Sequence, residues 1–222
     1  MTKIVKKIFI FLLIIVTLNG AFINLCYADD MEEDETEDIT ETEINEVNEV
    51  SKNAVEVPIL NSRRCVIFDR TSKTVMYGKN EELRSAMASP TKIMTATIAL
   101  ENGNLQDEVT IDRKAAGTGG SRLGLKREDK ITLNDLLYGL MLRSGNDAAV
   151  AIAEHIGGSV EGFAELMNQK ATELGLKDTH FITPHGLDSS EHYTTALELA
   201  KLTDYALKNE KFARIVATKC TT

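Results

Sequence analysis

The 222-residue sequence has few cysteines, which limits how far disulfides can stabilise the fold. Of its three cysteines, Cys26 lies in an apolar N-terminal region, so Cys65 and Cys220 are left for the rest of the chain. Two cysteines in about 170 residues do not form the dense disulfide framework of small secreted domains, although one bridge between them stays open. Cys65 lies in a strand-like apolar stretch, and we expect it to be a small buried hydrophobic residue.

The sequence also lacks the features of nucleic-acid-binding proteins and of common metal sites. It has no tryptophan, its aromatic content is 5%, and its formal net charge is −9. It therefore offers no basic surface with stacking side chains, and we expect no nucleic-acid partner. His180, His185 and His192 do not have the spacing of a metal-binding motif such as H-E-x-x-H. We interpret His185, in a Pro-His-Gly loop, as a structural hydrogen-bonding residue.

Long hydrophobic runs are confined to the N-terminus. Three lysines precede the apolar run from Ile8 to Val16, which a weaker run extends to Leu25. Cys26-Tyr27-Ala28 then places small residues at the −3 and −1 positions of a cleavage site. These features predict a signal peptide over residues 1–28. A retained membrane anchor is the alternative, which the short and interrupted apolar run disfavours.

An acidic segment separates this leader from the remainder. Residues 29–50 contain twelve aspartates or glutamates and no lysine or arginine. Without these acids and the three leader lysines, 22 acidic and 22 basic residues remain, so the net charge of the chain comes from this segment. Such a composition buries too little apolar surface to offset the entropy of ordering, and we predict a disordered linker over residues 29–52. Residues 53–222 are long enough for one domain core.

Local patterns in this remainder predict an α+β domain, in which helices pack on an antiparallel sheet. Turn-rich residues 69–73 predict a hairpin, with strands at Cys65–Phe68 and Thr74–Tyr77. Capping signals predict helices that begin at Ser89, Thr132, Asp147, Ser159 and Thr194. Shorter apolar runs predict further strands at Val109–Ile111 and Phe212–Thr218. The sheet that results is incomplete at Thr222.

The clearest functional signal is Ser89-Pro90-Thr91-Lys92, at the start of a predicted helix. A serine and a lysine three residues apart lie on one helix face, where a neutral amine can take the hydroxyl proton and activate the serine toward a carbonyl. Ser144-Gly145-Asn146 follows between two other helices, and the two patterns together predict an acyl-transfer site. Each pattern alone is weak, because S-x-x-K arises by chance about once in a few hundred residues. A helix-capping Ser89 and a solvated Lys92 are the structural alternative.

Longer stretches around both patterns resemble one family, the serine-type D-alanyl-D-alanine carboxypeptidases, which are low-molecular-mass penicillin-binding proteins of peptidase family S11. Residues 88–96 (Ala-Ser-Pro-Thr-Lys-Ile-Met-Thr-Ala) resemble the active-site segment of the family, and residues 142–149 resemble its second motif. Residues 179–196 resemble a further family stretch. The resemblance extends from about residue 58 to residue 219, and it implies a β-lactamase/transpeptidase-like α+β fold.

The resemblance also implies a role for each site residue. Ser89 would attack the carbonyl of a terminal D-Ala-D-Ala and form an acyl-enzyme, with Lys92 as the general base. Partial burial and nearby cations would lower the pKa of Lys92. Ser144 would relay the proton to the leaving D-alanine, Asn146 would orient the substrate and Lys92, and the Ser89 N–H would supply half of an oxyanion hole. No metal or organic cofactor is required.

The same resemblance implies a location and partners. The partners would be peptidoglycan stem peptides that end in D-Ala-D-Ala, with β-lactam antibiotics as acylating inhibitors. The protein would be secreted across the cytoplasmic membrane and would act in the cell-wall space.

The sequence departs from the family pattern at the K-T-G element, whose lysine is expected to bind the substrate carboxylate. The printed sequence ends at Lys219-Cys220-Thr221-Thr222, which does not match, and the later sheet strands of the family are missing. We therefore expect a C-terminally truncated chain with impaired activity. Two alternatives stay open. One is a class A β-lactamase-like hydrolase, a class that shares the serine-lysine pair but usually has S-D-N at the second motif. The other is a non-catalytic fragment that binds wall peptides.

Overall fold

The computed structural model describes residues 60–187 and 189–219. The predicted signal peptide, the acidic linker and Cys220 lie outside these residues. Everything described from Arg64 onward belongs to one compact unit. None of the described helices is both long and apolar enough to cross a membrane.

The described part begins with the predicted hairpin. Strand β1 (Cys65–Asp69) pairs antiparallel with β2 (Thr74–Lys79), and an irregularity in register follows Ile67. The Asp69 carboxylate closes the turn, because it accepts hydrogen bonds from the Thr71 N–H and the Ser72 hydroxyl. Cys65 is buried, as the apolar strand predicts.

Seven helices and four further short strands follow among the described residues. The strands are β3 (Ser85–Ala86), β4 (Glu108–Thr110), β5 (Lys130–Thr132) and β6 (Tyr193–Thr194). The helices are α1 (Lys92–Asn102), α2 (Arg113–Ala116), α3 (Leu133–Arg143), α4 (Asn146–Gly157), α5 (Val160–Glu173), α6 (Ala196–Ala206) and α7 (Glu210–Ala217). The strands form three two-stranded antiparallel sheets, β1–β2, β3–β6 and β4–β5. This helix-rich α+β arrangement confirms the predicted class.

Side-chain caps fix several helix starts where the sequence predicts them. The Thr132 hydroxyl accepts the Asp135 N–H at the start of α3, and the Ser159 hydroxyl accepts the Gly162 N–H at the start of α5. Each cap satisfies an N–H group that has no partner within its own helix.

Helix α1 lies at the centre of the core and contacts five of the other helices, α3 to α7. Every residue from Lys92 to Ala99 is buried. Helix α4 is similarly buried over Asn146 to Ala153, where four alanines permit close helix packing. The Ser89–Lys92 segment is therefore attached to the most enclosed helix of the described chain.

Two element predictions need correction. Residues 212–217 lie in helix α7 and not in a strand, because the Asn209 side chain accepts the Lys211 and Phe212 N–H groups as a cap. Phe212 and Ile215, three residues apart, then bury one helix face. Thr194 belongs to β6 and pairs with Ser85, so α6 begins later, after its cap Thr195.

Candidate active site

A tight 3-10 turn, Ser89–Thr91, leads into α1 and presents Ser89. Pro90 lies at its start, as predicted, and the Thr91 N–H donates to the Ala88 carbonyl. Ala88 has φ 47° and ψ −141°, a conformation that residues with a Cβ rarely adopt. Such a conformation persists only where the surrounding structure enforces it, and it is typical of functional sites.

A glycine of the Pro-His-Gly loop provides that enforcement. Gly186 has φ +84°, and a Cβ at this position would overlap the Ala88 carbonyl and lie 2.6 Å from the Thr91 hydroxyl oxygen. Only glycine combines this backbone conformation with so close an approach. The loop backbone thus packs directly against the turn that carries Ser89.

The structure brings Ser89, Lys92 and Ser144 together. The Lys92 Nζ lies 3.4 Å from the Ser89 Oγ, and the Ser144 hydroxyl donates to the same oxygen at 3.0 Å. Lys92 Nζ also donates to the His185 carbonyl at 3.0 Å. The Ser89 hydroxyl thus has an amine on one side and a second hydroxyl on the other, an arrangement that can activate a serine for acyl transfer.

Lys92 is buried, and burial shifts its pKa. Only 3% of this residue is exposed, and desolvation lowers its pKa from 10.5 to about 8. The sequence predicted this direction but invoked neighbouring cations as well, whereas burial is the sole cause that the structure provides. About a tenth of such amines are neutral at pH 7 and about half at pH 8, which suits general base catalysis.

Ser144 and Gly145 form the turn between α3 and α4, and each has a different constraint. Ser144 itself takes the left-handed conformation, with φ 56° and ψ 35°, whereas Gly145 has an ordinary φ of −61°. Space is what restricts position 145, because a Cβ there would lie 2.9 Å from the Leu123 side chain and 3.0 Å from the Asp147 carboxylate.

Asn146 begins α4 beside these serines and is buried. Its side-chain amide donates to the Gly119 carbonyl at 2.8 Å, and its backbone N–H donates to the Ser121 carbonyl at 2.8 Å. The amide nitrogen is therefore bound to the glycine-rich loop at residues 117–124 and not to Lys92. The substrate-orienting role of Asn146 stays a prediction.

Asp147 anchors the same loop, and the sequence analysis missed it. Its carboxylate is 1% exposed and accepts the backbone N–H groups of Leu123, Gly124 and Leu125 at 2.9–3.1 Å. The Asp147 carboxylate thus holds this loop against the start of α4. A carboxylate at a helix start beside a glycine-rich loop is the signal that was available.

The opposite side of the site is formed by residues 179–187. The Thr95 hydroxyl donates to the Pro184 carbonyl at 2.6 Å, so this loop is attached to α1 about one turn beyond Lys92. The His185 Nδ1 accepts the Leu187 N–H at 3.1 Å, as expected of a structural histidine. Burial, with the charges of Lys92 and His192, lowers the pKa of His185 to about 4, so this ring is neutral at pH 7.

Comparisons with known proteins show which family the chain resembles. The family model for D-alanyl-D-alanine carboxypeptidase, peptidase family S11, matches residues 51–221. The chain is 40% identical over 162 residues to D-alanyl-D-alanine carboxypeptidase DacF of Bacillus subtilis, a match that covers 71% of this chain and 42% of the relative. It is 39% identical over 161 residues to a D-alanyl-D-alanine carboxypeptidase of a Streptomyces species, with 67% and 55% covered.

Solved structures of penicillin-binding proteins and DD-transpeptidases are also similar to this chain. Penicillin-binding protein 5 from Haemophilus influenzae superposes with a TM-score of 0.72 at 34% identity, over 76% of this chain and 52% of that one. A mutant of the Streptomyces K15 DD-transpeptidase superposes with a TM-score of 0.70 at 35% identity, over 73% and 67%. The chain spans about half the length of the curated relatives it matches. On the family match and these similarities, the chain belongs to the D-alanyl-D-alanine carboxypeptidases of peptidase family S11.

Proposed function

We propose that the protein to which this chain belongs is a serine-type carboxypeptidase, which removes the terminal D-alanine from peptidoglycan stem peptides. The observation that carries the proposal is the position of the Ser89 Oγ, between the Lys92 amine at 3.4 Å and the Ser144 hydroxyl at 3.0 Å. Because the chain spans about half the length of its curated relatives, turnover is proposed for the whole protein. Acylation of Ser89 is proposed for the site described here.

In the proposed reaction, neutral Lys92 takes the Ser89 hydroxyl proton as the Oγ attacks the carbonyl carbon of the penultimate D-alanine. The Ser89 N–H stabilises the oxyanion that forms. Ser144 passes the proton from the Lys92 ammonium to the leaving amine as the peptide C–N bond breaks. Water then hydrolyses the Ser89 ester, with Lys92 again as the base. Each step uses side chains of this protein and no cofactor.

The proposal extends to partners and location. A site that attacks D-Ala-D-Ala also attacks the strained amide of a β-lactam, and we propose that penicillins acylate Ser89. The predicted signal peptide at residues 1–28 and the predicted acidic linker at residues 29–52 favour a secreted protein that acts in the cell-wall space. There, trimming of stem peptides would contribute to peptidoglycan biosynthesis and to cell shape.

The test is release of D-alanine from a peptide that ends in D-Ala-D-Ala, measured with the full protein and with two variants. Lys92→Met keeps an unbranched, apolar side chain in the buried position and removes the base, so we expect loss of at least about 10²-fold in rate. Ser144→Ala is expected to lose a comparable factor. Full activity of Lys92→Met would refute the proposed chemistry.

Incubation with benzylpenicillin separates the two alternatives. A long-lived adduct on Ser89 supports the carboxypeptidase. Rapid release of hydrolysed penicillin would favour the β-lactamase-like hydrolase, although Gly145 in the second motif argues against that class. Binding of a muropeptide with neither cleavage nor acylation would favour a non-catalytic wall-peptide-binding protein.

A further inference from the structure

A buried histidine lies behind the candidate nucleophile, and the proposed reaction does not use it. His192 is 2% exposed, and its Nε2 lies 2.7 Å from the Thr91 Oγ1, within the turn that carries Ser89. Its Nδ1 accepts the backbone N–H of Ile182 at 3.0 Å and, at 3.4 Å, that of Thr183. Both ring nitrogens are therefore bound to the protein itself.

These contacts define the tautomer of the ring. Because Nδ1 accepts hydrogen bonds from backbone N–H groups, the proton of the neutral imidazole lies on Nε2 and is donated to Thr91. Burial, with a smaller contribution from the charge of His180, lowers the pKa of His192 to about 4, so the ring is neutral at pH 7. Phe181 packs edge-on against the ring, with centroids 5.8 Å apart.

Thr91 connects His192 to the candidate active site. It is fully buried, between Ser89 and Lys92 in sequence, and its hydroxyl also faces the Gly186 backbone. The strand that follows His192, β6, pairs with β3, which ends two residues before Ala88, so the histidine is held in register with the turn. A displacement of His192 or Thr91 would move the turn that sets the distance between the Ser89 Oγ and the Lys92 Nζ.

We propose that His192 is a positioning residue, which donates its Nε2–H to Thr91 and thereby holds Ser89 and Lys92 in reacting geometry. The inference rests on the proposed function, in which these two groups react. It assigns no proton transfer to His192, because neither ring nitrogen is free to exchange a proton with substrate.

Two pairs of variants test the contact. Thr91→Val removes the hydroxyl at nearly constant volume, whereas Thr91→Ser keeps it. His192→Asn keeps an acceptor near the Nδ1 position and loses the donor to Thr91, whereas His192→Gln places a donor near the Nε2 position. Thr97→Val is the matched control, because Thr97 is also buried on α1 but its hydroxyl donates only to the Ile93 carbonyl of its own helix.

The first measurement is the rate at which benzylpenicillin acylates Ser89. We expect Thr91→Val and His192→Asn to be slower by about 10- to 100-fold, because a misplacement of about 1 Å can cost up to about 10²-fold. Thr91→Ser, His192→Gln and Thr97→Val are expected to stay within about threefold of wild type. Equal rates for folded Thr91→Val and Thr97→Val would overturn the inference.

The second measurement does not depend on catalysis. The pKa of Lys92 is followed by NMR of the protein labelled with ¹³C at lysine Cε, with Lys92→Arg to assign the signal. We expect it to change in Thr91→Val, because a displaced turn alters the burial of the Lys92 amine, and to stay at the wild-type value in Thr97→Val. An unchanged Lys92 pKa in folded Thr91→Val would overturn the inference. If the variants show this pKa pattern but benzylpenicillin does not acylate the wild-type protein, only the proposed function is refuted.

Discussion

Replacement of Gly186 by alanine tests whether the Pro-His-Gly loop enforces the conformation of the Ser89 turn. Two costs are expected in the free energy of unfolding. The left-handed backbone, with φ +84°, costs an alanine about 1–2 kcal/mol. The new Cβ would also overlap the Ala88 carbonyl and crowd the Thr91 hydroxyl, which adds about 1–3 kcal/mol of overpacking. The expected loss is about 2–5 kcal/mol, measured by urea unfolding.

Gly175→Ala provides the matched control. Gly175 has φ +69° and nothing within 4 Å of an added Cβ, so this variant bears the backbone cost without the overlap. We therefore expect Gly186→Ala to be less stable than Gly175→Ala by about 1–3 kcal/mol. We also expect only Gly186→Ala to slow acylation by benzylpenicillin, because only this residue contacts the turn. Equal stabilities and equal acylation rates for the two variants would refute this reasoning.

Three further predictions concern separate features. Asp147→Asn leaves one carboxylate oxygen fewer for the N–H groups of residues 123–125 and should cost about 1–3 kcal/mol by urea unfolding; a cost below about 0.5 kcal/mol would contradict this. Asp204→Asn weakens the ion pairs of Arg70 and Lys73, which connect the β1–β2 turn to α6. Because Arg70 and Lys73 are partly exposed, the free energy of unfolding should fall by about 1 kcal/mol, and this loss should depend on salt concentration. A salt-independent loss would contradict the prediction. Because burial lowers the pKa of Lys92 to about 8, its base form is lost as pH falls, so acylation should slow below pH 8 and level off above it; a rate that is flat from pH 6 to pH 9 would contradict this.

Local signals in the sequence predicted much of the fold correctly. The hairpin and the Thr132 and Ser159 caps depend on residues close in sequence, and the structure has all three. The strand prediction for residues 212–218 is wrong, because the same apolar residues also form one face of a helix, which the Asn209 cap begins. The pairing of β3 with β6 joins two-residue strands more than 100 residues apart, for which the sequence carries no local pattern.

The candidate site also combines residues that local sequence predicts with residues that only tertiary contacts bring together. The Ser89–Lys92 proximity follows from helix spacing, Ser144 follows from the second pattern, and the family resemblance supplies the role of Ser144. The contributions of Asp147, Gly186 and His192 arise from tertiary contacts with distant segments. Even the pKa of Lys92 depends on how completely the core encloses α1, which spacing alone does not determine.

The central claim is that Ser89 is an assembled nucleophile. The most direct measurement is the intact mass of the protein after exposure to benzylpenicillin, beside a Ser89→Ala variant of matched stability. We expect one covalent penicilloyl adduct on wild type and none on Ser89→Ala. A folded wild-type protein that forms no adduct, or an equal adduct on both proteins, would contradict it.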